Sequence, residues 1–349
     1  MDEKKVEELI AMYEVASFDM LALIQSMTGG LAKRRQLELL KQIGVIISTL
    51  NGDVSGIVVE IIEAAYRAGS KEATEEMRIE GFDNIEASFK TKIHKEAVQE
   101  TLDEAFYSIL EASDNMSKDA KERIESIVQK ANQRSLVEGV TRKQATQKAI
   151  AEATERGITG VVASNGARIP VEKYMAGTIQ YHQRKAHVDG RINRMRDNGQ
   201  DLVRVNSVGI TCALCAQFQG RVYSISGRDS RFPTLDRRPP YHSHCVHSTY
   251  PWNEEMRDSK EVMDMINRSN RPFADNRTQK DIDRYNQLQR EKSRKNETRK
   301  QWIKYKSRMP DLPDLKTFSS HKTRNTARYQ EWQADFRKFG FILSEGSGT

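Results

Sequence analysis

All three cysteines of this 349-residue chain lie between residues 212 and 245, and this clustering constrains the fold more than any other sequence feature. Cysteines placed only for packing are not expected to gather in this way. The segment Cys212-Ala-Leu-Cys215 has the two-residue gap with which one tight turn directs two thiolates at a single tetrahedral ion. Cys245 stands among three closely spaced histidines, His242, His244 and His247. The segment therefore predicts a metal site with thiolate and imidazole ligands.

Zinc is the ion that this donor set favours, because soft thiolates together with imidazole select it over magnesium or calcium. A shell of three thiolates and one imidazole has no open position for water or substrate. The predicted ion is therefore structural and contributes folding free energy to a module with little core of its own. The candidate ligands are Cys212, Cys215, Cys245, His247 and His242.

Three other interpretations of the cysteines stay open. A disulfide between Cys212 and Cys215 is disfavoured in a reducing compartment, and the acidic N-terminus predicts no secretory signal because it lacks a basic segment followed by an apolar run. A thioredoxin-like redox pair needs a CxxC that opens a helix within a βαβ pattern, whereas residues 218–225 have the pattern of a strand hairpin. The third interpretation is three adjacent thiols with no metal.

The first 130 residues have the apolar periodicity of helices almost throughout. Breaks are predicted at Gly29-Gly30, at Asn51-Gly52 and at Gly81. No segment has 18 uninterrupted apolar residues, and the best candidate, residues 43–68, is interrupted by asparagine, glycine, aspartate and glutamate. We therefore expect a helical region with a docking surface and no membrane span.

From Thr141 onward the pattern changes to short helices followed by strands. Thr141-Arg-Lys-Gln144 has the form of a capping box that opens a helix ending at Gly157. A second helix is expected over about residues 171–198, and residues 202–208 and 221–225 alternate apolar with polar positions as strands do. Helices and strands around a cysteine cluster predict a small α+β module.

The whole chain is thus predicted to be an α+β protein that is predominantly α-helical and has three parts. Residues 1–135 form an elongated acidic helical region, residues 136–252 form the α+β module with a zinc knuckle, and residues 253–349 form a basic helical extension with a break near Pro310 and Pro313. The aromatic residues of the extension are too irregularly spaced for a base-stacking platform and are interpreted as anchors of a helix interface: Tyr285, Trp302 and Tyr305.

The formal net charge of +7 conceals opposite charges in different parts of the chain. Residues 1–130 contain 16 basic and 25 acidic residues, a net charge of −9, whereas residues 131–250 contain 18 basic and 9 acidic residues, a net charge of +9. Residues 251–349 contain 22 basic and 15 acidic residues, a net charge of +7. This asymmetry indicates a polyanion as one partner and a protein as another. Solvated helix faces are the alternative interpretation.

An ordered string of motifs runs through the central module. It consists of Asp201-Leu-Val-Arg-Val-Asn-Ser-Val208, Thr211-Cys-Ala-Leu-Cys215, Gln219-Gly-Arg-Val-Tyr223 and Pro239-Pro-Tyr-His-Ser-His-Cys-Val-His247, followed by Pro251. This string resembles the phage minor capsid protein 2 family and is similar to the wider group of Mu F-like head morphogenesis proteins. The similar region extends from near residue 140 to residue 252, about a third of the chain.

The resemblance implies a structural minor capsid protein of a tailed bacteriophage, located inside the head at or near the portal vertex and acting in head morphogenesis and DNA packaging or delivery. It implies the portal protein or the major capsid protein as partners of the acidic region, several copies per virion, assembly in the host cytoplasm and no shared catalytic site. Many relatives have Pro-Asn in place of Ser243-His244, and many Mu F-like members have Cys in place of His247. The fourth ligand therefore stays open between His242 and His247, with His244 a weaker third choice.

Basic residues around the predicted knuckle fit non-specific contact with packaged DNA, because arginines neutralise phosphates without reading sequence. The candidates are Arg221, Arg228, Arg231, Arg237 and Arg238, together with Arg191, Arg194 and Arg196 near the end of the preceding helix. A merely soluble basic surface, or one that meets an acidic patch on the portal, is the alternative.

Three competing functions fit less of the sequence. A zinc-supported nuclease of the HNH type needs a free histidine and a second metal site on a following helix, and residues 248–253 predict no such helix. A toxin-type ADP-ribosyltransferase is disfavoured because the segment after residue 253 lacks an Arg, Ser-Thr-Ser, Glu-x-Glu series. A host zinc-ribbon regulator leaves the acidic helical part without a role. We therefore expect a protein that is not an enzyme.

Overall fold

The computed structural model describes residues 3–29, 32–88, 92–138, 140–275, 277–309 and 311–345. Within these residues the predominantly α-helical α+β fold is confirmed. The helices are α1 (Glu3–Gln25), α2 (Lys33–Ile79), α3 (Lys92–Val137), α4 (Arg142–Ala153), α5 (Val171–Asp197), α6 (Ala213–Ala216), α7 (Ser259–Asn270), α8 (Gln279–Lys306), α9 (Leu315–Thr323) and α10 (Ala327–Glu345). The strands are β1 (Thr159–Val162), β2 (Arg168–Pro170), β3 (Leu202–Val205), β4 (Val222–Ser224) and β5 (Thr249–Pro251), and short 3-10 turns lie at Ser26–Gly29 and Glu254–Met256.

The chain divides into two compact units, each assembled from separate segments. Unit 1 consists of Met1–Leu9, Asp53–Ile109 and Ala176–Leu288, and unit 2 consists of Ile10–Gly52, Leu110–Met175 and Gln289–Thr349. The boundaries near residues 135 and 252 describe changes of pattern along the chain, and they stay a prediction about its organisation.

Helix α2 is continuous through Asn51-Gly52, so the break predicted there is wrong. The buried side chains of Ile43, Ile47, Leu50 and Val54 follow one another at spacings of three or four residues across this point. Their burial outweighs the cost of one glycine in a helix, about 1 kcal/mol. The predicted ends near Gly29 and Gly81 are confirmed.

Helix α2 is also long and apolar enough, by length and composition, to cross a membrane. Its most apolar 18-residue window has a mean hydropathy of 1.6, and a third of that window is buried. The core helix of a soluble protein meets the same criterion, and the buried stripe of α2 has the spacing of a helix that packs against neighbours. The expectation of no membrane span stays a prediction.

Two glycines let α2 and α5 approach closely in unit 1. A Cβ on Gly190 would lie 2.2 Å from the carbonyl oxygen of Tyr66, and a Cβ on Gly69 would lie 1.9 Å from that of His187. Only glycine permits this contact between backbones. It positions the C-terminal half of α5, which leads directly into β3.

Arg191 and Arg194 follow this contact and are buried, each 1% exposed. The Arg191 guanidinium donates to the carbonyl oxygen of Thr249 at 2.6 Å and to Glu72 at 2.9 Å. Arg194 donates to the Ser70 hydroxyl and to main-chain carbonyls of residues 86–88. The expectation that these two arginines contact DNA is wrong, because they hold the fold together; Arg196 is exposed.

The predicted α+β elements of the central module are present. Thr141 and Gln144 form the capping box of α4, which ends at Ala153 rather than Gly157. Strands β3 and β4 are confirmed but shorter than predicted, and β5 was not predicted. They form an antiparallel sheet in the order β4-β3-β5. Val203 and Val205 face Ile192 and Met195 of α5, whereas Leu202 on the opposite face packs with Trp252 and with Met265 of α7.

Unit 2 contains an aromatic core and a buried ion pair. Trp302 and Tyr305 of α8 pack against residues of α9 and α10, which supports their interpretation as interface anchors; Tyr285 is half-buried. Asp119 and Arg123 of α3 are 1% and 2% exposed.

Helix α8 ends at Lys306, and Pro313 lies before α9, as predicted, whereas Pro310 lies outside the described residues.

Candidate metal centre

The first two cysteines belong to the short helical turn α6. Cys212 precedes this turn, and its sulfur accepts a hydrogen bond from the backbone N–H of Cys215 at 3.4 Å. The CxxC thus does open a helical turn, which the strand-hairpin interpretation did not predict. Because β3 before it and β4 after it are antiparallel neighbours, the surrounding pattern is nevertheless not βαβ.

The third cysteine approaches from the loop between β4 and β5. Pro239-Pro240, a cis peptide, precedes Tyr241, whose ring stacks on Phe218 with centroids 4.1 Å apart. The Cys245 carbonyl oxygen accepts a hydrogen bond from the Arg184 guanidinium at 2.7 Å. These contacts place Cys245 beside the CxxC turn, and both Cys215 and Cys245 are 1% exposed.

The potential ligand atoms lie at separations that suit a metal ion. The sulfurs of Cys215 and Cys245 are 3.8 Å apart, the sulfur of Cys212 is 3.3 Å from His242 Nε2, and the sulfur of Cys245 is 3.6 Å from His247 Nδ1. Tetrahedral zinc, with bonds of about 2.3 Å to sulfur and about 2.0 Å to nitrogen, separates two sulfurs by roughly 3.8 Å and a sulfur from a nitrogen by roughly 3.5 Å. The donor types therefore fit zinc, and these three separations match those between two ligands of one such ion.

The five predicted ligands form two overlapping groups that share Cys215. One contains Cys212, Cys215 and His242, the other contains Cys215, Cys245 and His247, and within each group the ligand atoms lie within 4.8 Å of one another. Among the described residues His244 belongs to neither group, and it is exposed.

Hydrogen bonds distinguish the two histidines. His247 Nε2 lies 3.3 Å from Gln219 Oε1, an oxygen that also accepts the backbone N–H of Val208 at 3.2 Å. Nε2 of His247 therefore carries the proton, and Nδ1 presents its lone pair to Cys245. His242 Nδ1 instead accepts the backbone N–H of His244 at 3.2 Å, so its proton lies on Nε2, which faces Cys212. Only His247 has its sulfur-facing nitrogen in the form that binds a metal.

The two buried sulfurs share a proton in the metal-free chain. A hydrogen bond from the Cys215 thiol lowers the pKa of Cys245, and burial opposes this shift. The pKa of Cys215 is raised because its thiol donates that bond and is buried. A sulfur pair with one thiolate at neutral pH is suited to a cation, which binds thiolates.

The five arginines predicted around the knuckle have different surroundings. Arg231 forms ion pairs with Asp229 at 2.6 Å and Glu254 at 2.7 Å. Arg238 pairs with Asp189 at 3.1 Å, and the Arg237 guanidinium lies 5.6 Å from the ring centroid of Phe218. Arg228 is exposed, and Arg221 donates to the carbonyl oxygen of Ser269 at 3.1 Å. The structure does not bring all five into one cluster.

A polar chain of unit 1 was not predicted. The Tyr66 hydroxyl lies 2.7 Å from His94 Nδ1, and His94 Nε2 lies 2.5 Å from Asp197. Burial raises the pKa of Tyr66 to about 12, so its hydroxyl stays protonated at neutral pH. The chain joins α2, α3 and α5 beside a cavity of about 400 Å³, and no local spacing in the sequence indicates it.

Gln219 was also not predicted, because its contact with His247 exists only when the loop before β5 folds back on α6. The same holds for Arg184, which reaches Cys245 from α5. Each lies far from its partner in sequence, so motif spacing does not reveal it.

Comparison with known proteins identifies one family. The family model described as phage minor capsid protein 2 matches residues 22–339. No curated protein and no solved structure matches the chain significantly. The match extends well beyond residues 140–252, so the span assigned from the motifs was too short, and the helices on both sides of the cysteine module are part of the family pattern. This chain therefore belongs to the phage minor capsid protein 2 family.

Proposed function

We propose that this structural phage head protein lies inside the head at or near the portal vertex, where it acts without catalysis in head morphogenesis and in DNA packaging or delivery. The observation that carries the proposal is the family match over residues 22–339. The acidic N-terminal region provides a surface for the portal or major capsid protein, and the basic remainder suits packaged DNA.

A structural zinc ion is part of this proposal. Cys215, Cys245 and His247, which form one group, would hold it together with Cys212 from the other group. His242 would donate a hydrogen bond from Nε2 to the sulfur of Cys212. The ion supplies bonds that join the α6 turn to the loop before β5, two segments about 30 residues apart in sequence. Four protein ligands complete a tetrahedral shell, so such an ion stabilises the module and leaves no position for a substrate.

Purified particles test the location. In phage that encodes this chain with an epitope tag, we expect a fixed number of copies per portal ring by quantitative mass spectrometry and cross-links between the chain and the portal protein. Absence of the chain from purified particles contradicts the head assignment. Cross-links to the major capsid lattice alone contradict the position at the vertex.

A separate assay tests the absence of catalysis. The purified protein is incubated with supercoiled plasmid and, separately, with labelled NAD and host extract. We expect no nicking and no transfer of label. Cleavage by the wild-type protein contradicts the absence of catalysis and favours a nuclease, and its loss in a Cys215→Ser variant excludes a contaminating enzyme.

A further inference from the structure

We infer that four arginines of unit 1 form a binding site for the phosphates of a nucleic-acid backbone, a ligand assignment that rests on the proposed role in DNA packaging or delivery. The four are Arg204, Arg221, Arg268 and Arg271. Only Arg221 was among the residues expected from the sequence to contact DNA.

Three elements bring these arginines together. Arg204 lies on β3, two residues after Leu202, and so shares the face of the sheet that packs on Met265 of α7. Arg221 immediately precedes β4, whereas Arg268 and Arg271 lie at the C-terminal end of α7.

Ser269 fixes the end of α7 on the sheet. Its hydroxyl accepts the backbone N–H of Val222 at 3.0 Å, its carbonyl oxygen accepts the Arg221 guanidinium at 3.1 Å, and the residue is 1% exposed. Because Arg268 is its neighbour in sequence, this attachment holds the Arg268 side chain near the start of β4.

Gly220 provides the space for Arg268. Its φ of +70° is a conformation that residues with a Cβ rarely adopt. A Cβ there would lie 2.4 Å from a guanidinium nitrogen of Arg268 and 2.8 Å from the hydroxyl oxygen of Ser207. The guanidinium thus lies against the backbone of Gly220, adjacent in sequence to Arg221 and close to an exposed serine hydroxyl.

The four arginines have no acidic partner among the described residues. Among the residues that the structure describes, no ion pair within 4.0 Å involves any of them, including Asp264 one helical turn before Arg268. The other arginines of this region differ, since Arg231 and Arg257 each pair with acidic residues. A guanidinium has five N–H donors, and the side chains of Arg204 and Arg268 are half-buried without a protein acceptor among the described residues.

The positive charges also act on one another. Burial, followed by the charges of Arg204, Arg271 and Arg221, lowers the pKa of Arg268. An anion with several oxygens relieves this repulsion between arginines and also accepts hydrogen bonds from their unpaired guanidinium N–H groups. Phosphate suits arginine because its oxygens accept the paired N–H groups of the planar fork, and a nucleic-acid backbone presents successive phosphates to successive arginines.

Fluorescence anisotropy of the full-length protein with a labelled mixed-sequence duplex of about 20 base pairs tests the site. The double variant Arg204→Gln/Arg268→Gln should bind at least about tenfold more weakly at low salt, and the slope of log K against log salt should fall in magnitude by about 2, since each lost phosphate contact removes about 0.9. The matched control is the double variant Arg67→Gln/Arg78→Gln, which removes the same two charges from exposed, ion-paired arginines of α2 in unit 1 and should change affinity less than about twofold. Thermal melting and zinc content of all variants establish that they are folded.

Two results overturn the inference. One is equal binding by Arg204→Gln/Arg268→Gln, which shows that the cluster does not contact the duplex, or an equal loss in Arg67→Gln/Arg78→Gln, which shows that net charge alone governs binding. The other is competition by poly-glutamate as effective as competition by unlabelled duplex, which assigns the cluster to an acidic protein surface.

Incorporation into particles separates this inference from the proposed function. If Arg204→Gln/Arg268→Gln enters heads in normal copy number but has lost DNA affinity, both stand. If the wild-type chain binds duplex through the cluster but is absent from particles, the proposed function fails and the phosphate site stands.

Discussion

Each unit contains a buried polar cluster, and the two clusters are satisfied in different ways. In unit 2, Asp119 accepts hydrogen bonds from Arg123 at 2.7 Å, from Arg168 at 3.1 Å and from the backbone of Thr159 at 3.0 Å. Arg123 also donates to three carbonyl oxygens at and just after the end of α4, those of Ala153, Arg156 and Gly157. In unit 1, the cysteines and histidines contact one another at 3.3 to 3.8 Å through weak sulfur hydrogen bonds.

The two clusters differ in what they need from outside the chain. A carboxylate and a guanidinium are complementary in charge and geometry, so α3 and the loop that follows α4 complete their cluster with protein atoms alone. Thiolates and imidazoles are all metal ligands, and the two groups that share Cys215 offer a cation several of them at once. The cluster of unit 1 should therefore depend on metal, and that of unit 2 on the charge of its own side chains.

The largest expected effect follows from removing a sulfur ligand. Cys215→Ser should abolish zinc binding and the cooperative melting of the central module, because structural zinc contributes on the order of 10 kcal/mol of binding free energy. Zinc analysis and differential scanning calorimetry measure this. Chelator-treated wild-type protein is the control and should melt like the variant. A Cys215→Ser variant that retains zinc would contradict the metal dependence of the cluster in unit 1.

A smaller loss is expected from Arg123→Met in unit 2. It leaves the carboxylate of Asp119 buried without its main partner, which should lower the free energy of unfolding by about 3–5 kcal/mol. Denaturant unfolding with and without chelator measures it. Lys121→Met on the exposed side of α3 is the matched control and should cost less than about 1 kcal/mol. If chelator destabilises unit 2 and Arg123→Met does not, the proposed contrast in metal dependence between the two units is wrong.

Acid should affect the two units in different pH ranges. Burial lowers the pKa of His182 from 6.5 to about 4, so the unfolded chain binds more protons at that residue between these values, and stability falls as the pH drops through them. The loss approaches about 3 kcal/mol. Burial opposes ionisation of Asp119, but Arg123 outweighs it and the pKa lies below its usual 3.8, so the Asp119 contribution persists until the pH falls below that value.

Urea unfolding between pH 7 and pH 4 checks the contribution of His182, which lies on α5 in unit 1. A His182→Gln variant should lose less stability over this range than wild type does. Identical pH profiles of the two proteins would exclude a histidine that is buried in its neutral form.

The smallest effect is expected at His242. Because its sulfur-facing nitrogen carries a proton, His242→Gln should keep the zinc and cost about 1 kcal/mol for one hydrogen bond. His247→Gln is the matched comparison and should lose the ion. Zinc affinity measured with a competing chelator separates them, and the reverse order would make His242 the fourth ligand.

Local patterns made much of this predictable. The gap between Cys212 and Cys215 indicated one turn with two sulfurs, and Thr141 with Gln144 indicated the start of α4; in both cases the interacting atoms lie within four residues of one another. The predicted ligands lie in two groups of three that share Cys215, and within each group the ligand atoms lie within 4.8 Å of one another.

Features that depend on distant contacts were not predictable. The prediction of a break at Asn51-Gly52 was wrong because burial of side chains along α2 outweighs the local turn preference of these two residues. Strand β5 has three residues including a proline, and only pairing with β3 makes it a strand. Arg191 was expected to contact DNA, since nothing near it in sequence reveals Glu72 and Thr249 as its partners.

Native mass spectrometry of the full-length protein tests the central claim most directly. We expect about one zinc ion per chain, displaced by chelator together with loss of the cooperative transition of the central module. A chain that has the mass of the metal-free polypeptide when purified with zinc present, and that melts identically with and without chelator, would contradict a metal-completed cluster in unit 1.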